Sequence, residues 1–126
     1  MQLIKRVNSK AVALETTLLV HGVPRDSSLA LAGELDAIIR SEGSSPALVG
    51  VVEGTAVAGM DRDELESMLG ADTIEKVNTA NLGVAMHAGR SAATTVSSTM
   101  EIAAYAGLRV FATGGIGGVH RGYGEH

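Results

Sequence analysis

Between Ala11 and Val20 the chain reads AVALETTLLV, almost unbroken in apolar and β-branched residues. Such a run predicts a strand buried on both faces, closed by His21-Gly22-Val23-Pro24. The spacing then becomes helical. Leu29, Ala32, Leu35, Ile38 and Ile39 share one stripe, which predicts a helix from Asp26-Ser27-Ser28, residues with N-cap chemistry, through Arg40. Glu42-Gly43 stops it. Two apolar runs, Ala47 to Val52 and Thr55 to Ala58, flank Glu53-Gly54. That pattern predicts a hairpin, because glycine accepts the positive φ of a tight turn.

Asp61-Arg62-Asp63-Glu64 opens a short helix to Leu69 whose acidic start suits the helix dipole. Lys76-Val77-Asn78-Thr79 reads as a polar connector into a helix from about Ala80 to His87. Ser91 to Val96 predicts a short strand that turns into a helix over Ser97 to Tyr105, capped by Gly107. Leu108 to Ala112 is the next strand. Alternating helices and strands predict one α/β domain, with a largely parallel or mixed sheet and helices on its faces. No repeat, low-complexity segment or linker divides residues 1–126.

Composition sharpens this picture. Hydrophobic residues make up 45% of 126, yet there is one Phe, two Tyr and no Trp, so the core is built from small and branched aliphatics. The formal net charge is −4 and the longest basic run is Lys5-Arg6. With aromatics so scarce, that argues against a nucleic-acid surface. Zero cysteines exclude disulfides, thiolate ligands and a cysteine nucleophile. The N-terminus lacks a signal peptide's apolar stretch, and no run reaches membrane-spanning length. A cytoplasmic setting is the expectation.

Several groups have chemical potential. Glu15 falls in the middle of the most apolar run, where desolvation favours the protonated acid that proton transfer needs. The alternative is a carboxylate at a sheet edge or paired with an arginine. Lys76 suits a phosphate contact or, equally, a solvated surface. Thr94, Thr95, Ser97, Ser98 and Thr99 crowd a helix start, which fits an anion or sugar site or simple capping. After the last strand come four glycines in five positions, Gly114, Gly115, Gly117 and Gly118, then His120 and Arg121. Backbone amides in such a loop approach a ligand closely and form an anion-binding concavity; a tight turn alone would use two of the glycines. The loop matches neither G-x-G-x-x-G nor a P-loop. His21, His87, His120 and His126 lack H-x-x-x-H spacing, so no metal site is expected within the chain.

Taken together, the segments ALETT with HGVP, then Lys76-Val77-Asn78, then ATTVSSTM and RVFATGGIGGVHRG resemble the pseudouridine-5'-phosphate glycosidases, also called indigoidine synthase A-like proteins. The match runs the length of the chain in order, and its specific parts are ATTV and ATGGIGGVHRG. The resemblance implies reversible cleavage of pseudouridine 5'-phosphate to uracil and ribose 5-phosphate by a manganese-dependent, cytoplasmic homotrimer. The bond broken is C–C, so the paired-carboxylate scheme of O-glycosidases is insufficient. The family opens the ribose ring and forms a covalent adduct between a lysine and the sugar.

By resemblance, the acid/base glutamate falls on Glu15 and substrate contacts fall on Lys76 and Val96. Thr113, Gly114 and Gly115, with His120, fall where the sugar phosphate is expected. The family's manganese-holding aspartate, nucleophilic lysine and a late asparagine come after the HRG segment, and the chain ends before them. Lys5, Lys10 and Lys76 do not match that nucleophile, and Glu125 does not match the metal ligand. The sequence therefore reads as the N-terminal portion of such an enzyme, incomplete relative to its full domain and expected to be inactive alone. The alternative is a non-catalytic sugar-phosphate-binding protein or subunit that needs a partner chain.

Overall fold

The computed structural model describes residues 1–114. In chain order the elements are β1 (Leu3–Lys5), β2 (Val12–Glu15), α1 (Thr16–Val20), α2 (Arg25–Ser41), β3 (Pro46–Val52), β4 (Thr55–Ala58), α3 (Arg62–Leu69), β5 (Glu75–Val77), α4 (Leu82–His87), β6 (Ala92–Thr94), α5 (Val96–Tyr105) and β7 (Val110–Ala112). One sheet holds all these strands in the order β1-β4-β3-β2-β7, with β6 on β3 and β5 on β6. The pairs β1·β4, β2·β3, β2·β7 and β5·β6 are parallel. The pairs β3·β4 and β3·β6 are antiparallel, so the sheet is mixed.

Alternation along β3 explains the layers. Ala47, Val49 and Val51 join Ala13, Leu82, Ala85, Ile102 and Ala106 in one apolar cluster under α4 and α5. Leu48 and Val52 turn to the other face and pack on Leu19, Met60, Leu65 and Met68 from α1, α3 and their surroundings. The α/β architecture is thus three layers, helices on both faces of one sheet. The hairpin is as expected: Glu53 and Gly54 both have positive φ, 47° and 83°, as a two-residue turn with this strand twist requires. A Cβ on Gly54 would lie 2.7 Å from the Met86 carbonyl oxygen and 2.9 Å from the Gly89 Cα. Gly54→Ala is therefore expected to cost more than about 1 kcal/mol, read as a lower urea midpoint at unchanged slope.

The predicted strand Ala11 to Val20 is corrected. It ends at Glu15, and Thr16–Val20 form α1. β3 changes partners there: Pro46 to Val49 pair with β2, whereas Gly50 and Val51 pair with β6. No edge remains for β2 to run along, so its chain turns aside and buries Leu19 and Val20 as a helix. A short buried helix and a buried strand read alike by periodicity. The connector at Lys76 is also corrected, because Lys76 and Val77 belong to β5. Its registry comes from β6, which the three-residue string EKV does not announce. β1, beside β4, had no clear signal either. α2 matches its expected span, but Pro24 stands at its N-cap without a side-chain cap; the Ser28 hydroxyl instead donates to the Leu19 carbonyl. α4 begins at Leu82, after Asn78 and Asn81 bond the turn before it.

α3 starts as predicted, with Asp61 and Glu64 forming a reciprocal capping box. Glu64 is also gripped by Arg6, Nη1 to Oε1 at 2.5 Å and Nη2 to Oε2 at 3.1 Å. This side-chain bond holds the Glu64 carboxyl below the usual carboxylate range, the Asp61 amide adds to it, and partial burial opposes both. A carboxyl depressed in the folded state stabilises above its unfolded value, near pH 4.3, and loses that stabilisation as pH falls through the folded value. Glu64→Gln is expected to flatten the acid limb of a Tm-against-pH curve below about pH 5. Its neutral-pH cost stays within about 1 kcal/mol, because the Arg6 side chain is 37% exposed.

Candidate functional site

Strand ends converge at one place. β2 reaches Val49 along one edge of β3, and β6 comes the opposite way along that edge to Gly50. The C-terminal ends of β2 and β6 therefore abut. β7 runs parallel to β2 with Ala112 beside Leu14, and β5 runs parallel to β6 with Val77 beside Thr94. Four carboxyl ends thus come together at one junction, and carboxyl ends of strands are the usual position for ligands in open α/β sheets.

Buried hydroxyls pin this junction. The Thr94 amide donates to Thr16 Oγ1 at 2.7 Å, and Thr94 Oγ1 donates to the Val49 carbonyl at 2.9 Å. Thr99 Oγ1 donates to Thr94 Oγ1 at 2.8 Å. Thr16, Thr94 and Thr99 are each fully buried. Gly50 leaves room for this packing, since a Cβ there would lie 3.2 Å from Thr16 Cγ2 and 2.5 Å from Met60 Sδ.

Glu15 is the last residue of β2 and stands at the N-cap of α1, half-buried. It is not in the middle of an apolar strand, because the strand stops there. Thr113, the first residue past β7, donates from Oγ1 to Glu15 Oε1 at 2.5 Å. No arginine engages Glu15 among the described residues' ion pairs. Val96 begins α5, two residues beyond the buried Thr94, and is half-buried. Lys76 lies one strand further out on β5, exposed and in register with Ala93. Gly114 comes after Thr113, beside Leu18 of α1. Gly115 and His120, the rest of the glycine-rich loop and Arg121 lie outside the described residues.

The five hydroxyls at the start of α5 are internally employed. Thr95 Oγ1 and Ser98 Oγ both donate to the Val77 carbonyl, at 3.1 and 2.6 Å, and Ser97 Oγ accepts from the Thr79 amide. With Thr94 and Thr99 in the buried network, this cluster builds the junction; the anion-site reading of all five gives way to the structural one. Sequence reasoning missed Thr16, whose hydroxyl is central. Its sequence signal was its place beside Glu15 within the ALETT segment.

A groove of about 400 Å3 opens elsewhere, under α2, lined by Leu14, Leu19, Leu29, Leu48 and Leu65. Its rim charges are already matched, Arg6 with Glu64, Arg40 with Asp36 and Arg62 with Glu66. Its two lining carboxylates, Asp36 and Asp61, face Arg40 and Arg6, so the candidate site is the strand-end junction. Among the described residues, no three His, Cys, Asp or Glu side chains are grouped to hold a metal. No described helix is long and apolar enough to cross a membrane.

Residues 3–126 match the family described as indigoidine synthase A like protein. The chain is 48% identical over 115 residues to the pseudouridine-5'-phosphate glycosidase of Streptomyces griseus, covering 91% of this chain and 36% of that one. It is 47% identical over 118 residues to pseudouridine-5'-phosphate glycosidase 1 of Rhizobium johnstonii, covering 94% and 37%. The crystal structure of an indigoidine synthase A-like protein from Thermotoga maritima superposes with a TM-score of 0.90 at 37% identity, covering 98% of this chain and 42% of that one. The prealnumycin C-glycosynthase in complex with ribulose 5-phosphate gives 0.81 at 32% identity, covering 96% and 41%. The chain spans little more than a third of the length of the curated relatives it matches.

Proposed function

The chain belongs to the indigoidine synthase A-like family, and from that premise we propose that it carries the acid/base part of a pseudouridine-5'-phosphate glycosidase site. The observation behind this is Glu15, half-buried where four strand ends meet and held by Thr113. When the C–C glycosidic bond breaks, uracil keeps the bonding electron pair on carbon and must take a proton there. A carboxyl group fixed on a rigid strand end can give that proton in cleavage and take it back in synthesis. Lys76, Val96, Gly114, Gly115 and His120 are proposed to contact the sugar phosphate. The relative solved with ribulose 5-phosphate supports that ligand class.

The ring-opening lysine has no counterpart among Lys5, Lys10 and Lys76, so the 126 residues by themselves are proposed not to turn over substrate. The manganese that the resemblance implies, with its aspartate ligand after the HRG segment, belongs to the same proposal. The homotrimer and the cytoplasmic setting that the resemblance implies belong to the same proposal.

The test is a chimera in which this chain replaces the matching segment of a full-length glycosidase relative. Uracil release from pseudouridine 5'-phosphate by the chimera, with none from the 126 residues alone, is the expected result. A folded, ribose-5-phosphate-binding chimera that releases no uracil overturns the reading.

A further inference from the structure

We propose that Thr113 is a positioning residue for the Glu15 carboxyl group and not a donor to the sugar phosphate. The resemblance groups Thr113 with the phosphate loop, but the geometry points its hydroxyl elsewhere. β2 and β7 are hydrogen-bonded neighbours with Leu14 opposite Ala112, so Glu15 and Thr113 are the next residues out on adjacent strand ends. Thr113 Oγ1 donates to Glu15 Oε1 at 2.5 Å.

A threonine hydroxyl has one proton to give, and Glu15 receives it. A phosphate oxygen drawn to Thr113 Oγ1 would also lie against the carboxylate oxygen 2.5 Å away, with like charges juxtaposed. The bond does something else: it engages one carboxyl oxygen and fixes the side-chain rotamer, leaving the second oxygen for the reacting atoms. Both residues are half-buried, which limits competition from water. Thr113 thus serves the proton-transferring group.

This role rests on Glu15 being the proton-transferring group, and its test reads the hydrogen bond directly. The Glu15 Cδ resonance is assigned in the 126-residue chain by its loss in Glu15→Gln, at fixed neutral pH. Thr113→Val is expected to displace that resonance, and Thr113→Ser, which restores the hydroxyl, to return it to the wild-type position. Backbone amides of β2 and β3 should stay in place in both variants. Thr113→Ala serves as a second hydroxyl deletion should the valine disturb the strand end. A Glu15 resonance that stays put when the hydroxyl is deleted, or one that serine fails to restore, overturns the proposal. A chimera that releases no uracil would count against the proposed function, whereas the carboxyl resonance decides the role of Thr113 by itself.

Discussion

Glu15→Gln in the chimera is expected to lower uracil release by roughly 10²–10⁴-fold, the range that a positioned proton-transferring group contributes. The substitution suits the question because the glutamine amide has nearly the shape of the acid. Its carbonyl oxygen still accepts from Thr113 Oγ1, which now bonds Glu15 Oε1, so the strand-end geometry persists while the transferable proton is gone. Ribose 5-phosphate affinity should change little, because the contacts proposed for the phosphate lie on Lys76, Gly114, Gly115 and His120. Turnover measured beside sugar-phosphate affinity thus separates the two functional readings. An enzyme site loses rate and keeps binding; a pure binding module has no rate to lose and is indifferent to the change. Undiminished uracil release in Glu15→Gln would place the acid/base group elsewhere.

The largest expected loss of stability is at Thr94. Its side chain donates to the Val49 carbonyl and accepts from Thr99, while its amide donates to Thr16. Thr94→Val keeps the shape but strands the Thr99 hydroxyl and removes the side-chain donor to Val49, both in a fully buried setting. Each orphaned buried polar group costs about 1–3 kcal/mol, so a loss of about 2–6 kcal/mol is expected. For 126 residues, each kcal/mol corresponds to about 4 °C in Tm. Thr94→Ser retains the hydroxyl and loses only a methyl group, so it should be markedly milder. Equal losses for valine and serine in urea unfolding would mean that packing, not the hydrogen-bond network, holds the junction. The same network seats Glu15, since Thr16 is its chain neighbour. Thr94→Val is therefore expected to damage turnover in the chimera beyond its effect on the amount folded.

Local patterns carried much of the fold. The stripe from Leu29 to Ile39 predicted α2, and the alternation around Glu53-Gly54 predicted the hairpin with its positive φ pair. The acid-first start of α3 and the glycine after α5 were read from residues within one turn of each helix end. Those features are decided by side chains close in sequence, through capping, dipole and backbone freedom. Family motifs brought Glu15, Val96 and Thr113 forward as site residues; Glu15 ends β2, Thr113 follows β7 and Val96 opens α5 just after β6.

The sequence by itself determined an aliphatic α/β layer, its longer helices, its hairpin and the identity of its one conspicuous carboxylate. Only the tertiary structure decided where β2 stops, that Lys76 sits in a strand, and what the crowded hydroxyls do. The physical reason is the same in each case. β3 takes β2 and then β6 along a single edge, and that exchange of partners joins Val49 to Thr94 across 45 residues and Thr16 to Thr94 across 78. A hydrogen bond spanning such distances leaves no periodicity in the string. Glu15 is identified by the sequence, but it is the ending of the strand beneath it, and the hydroxyl of a residue 98 positions away, that aim it.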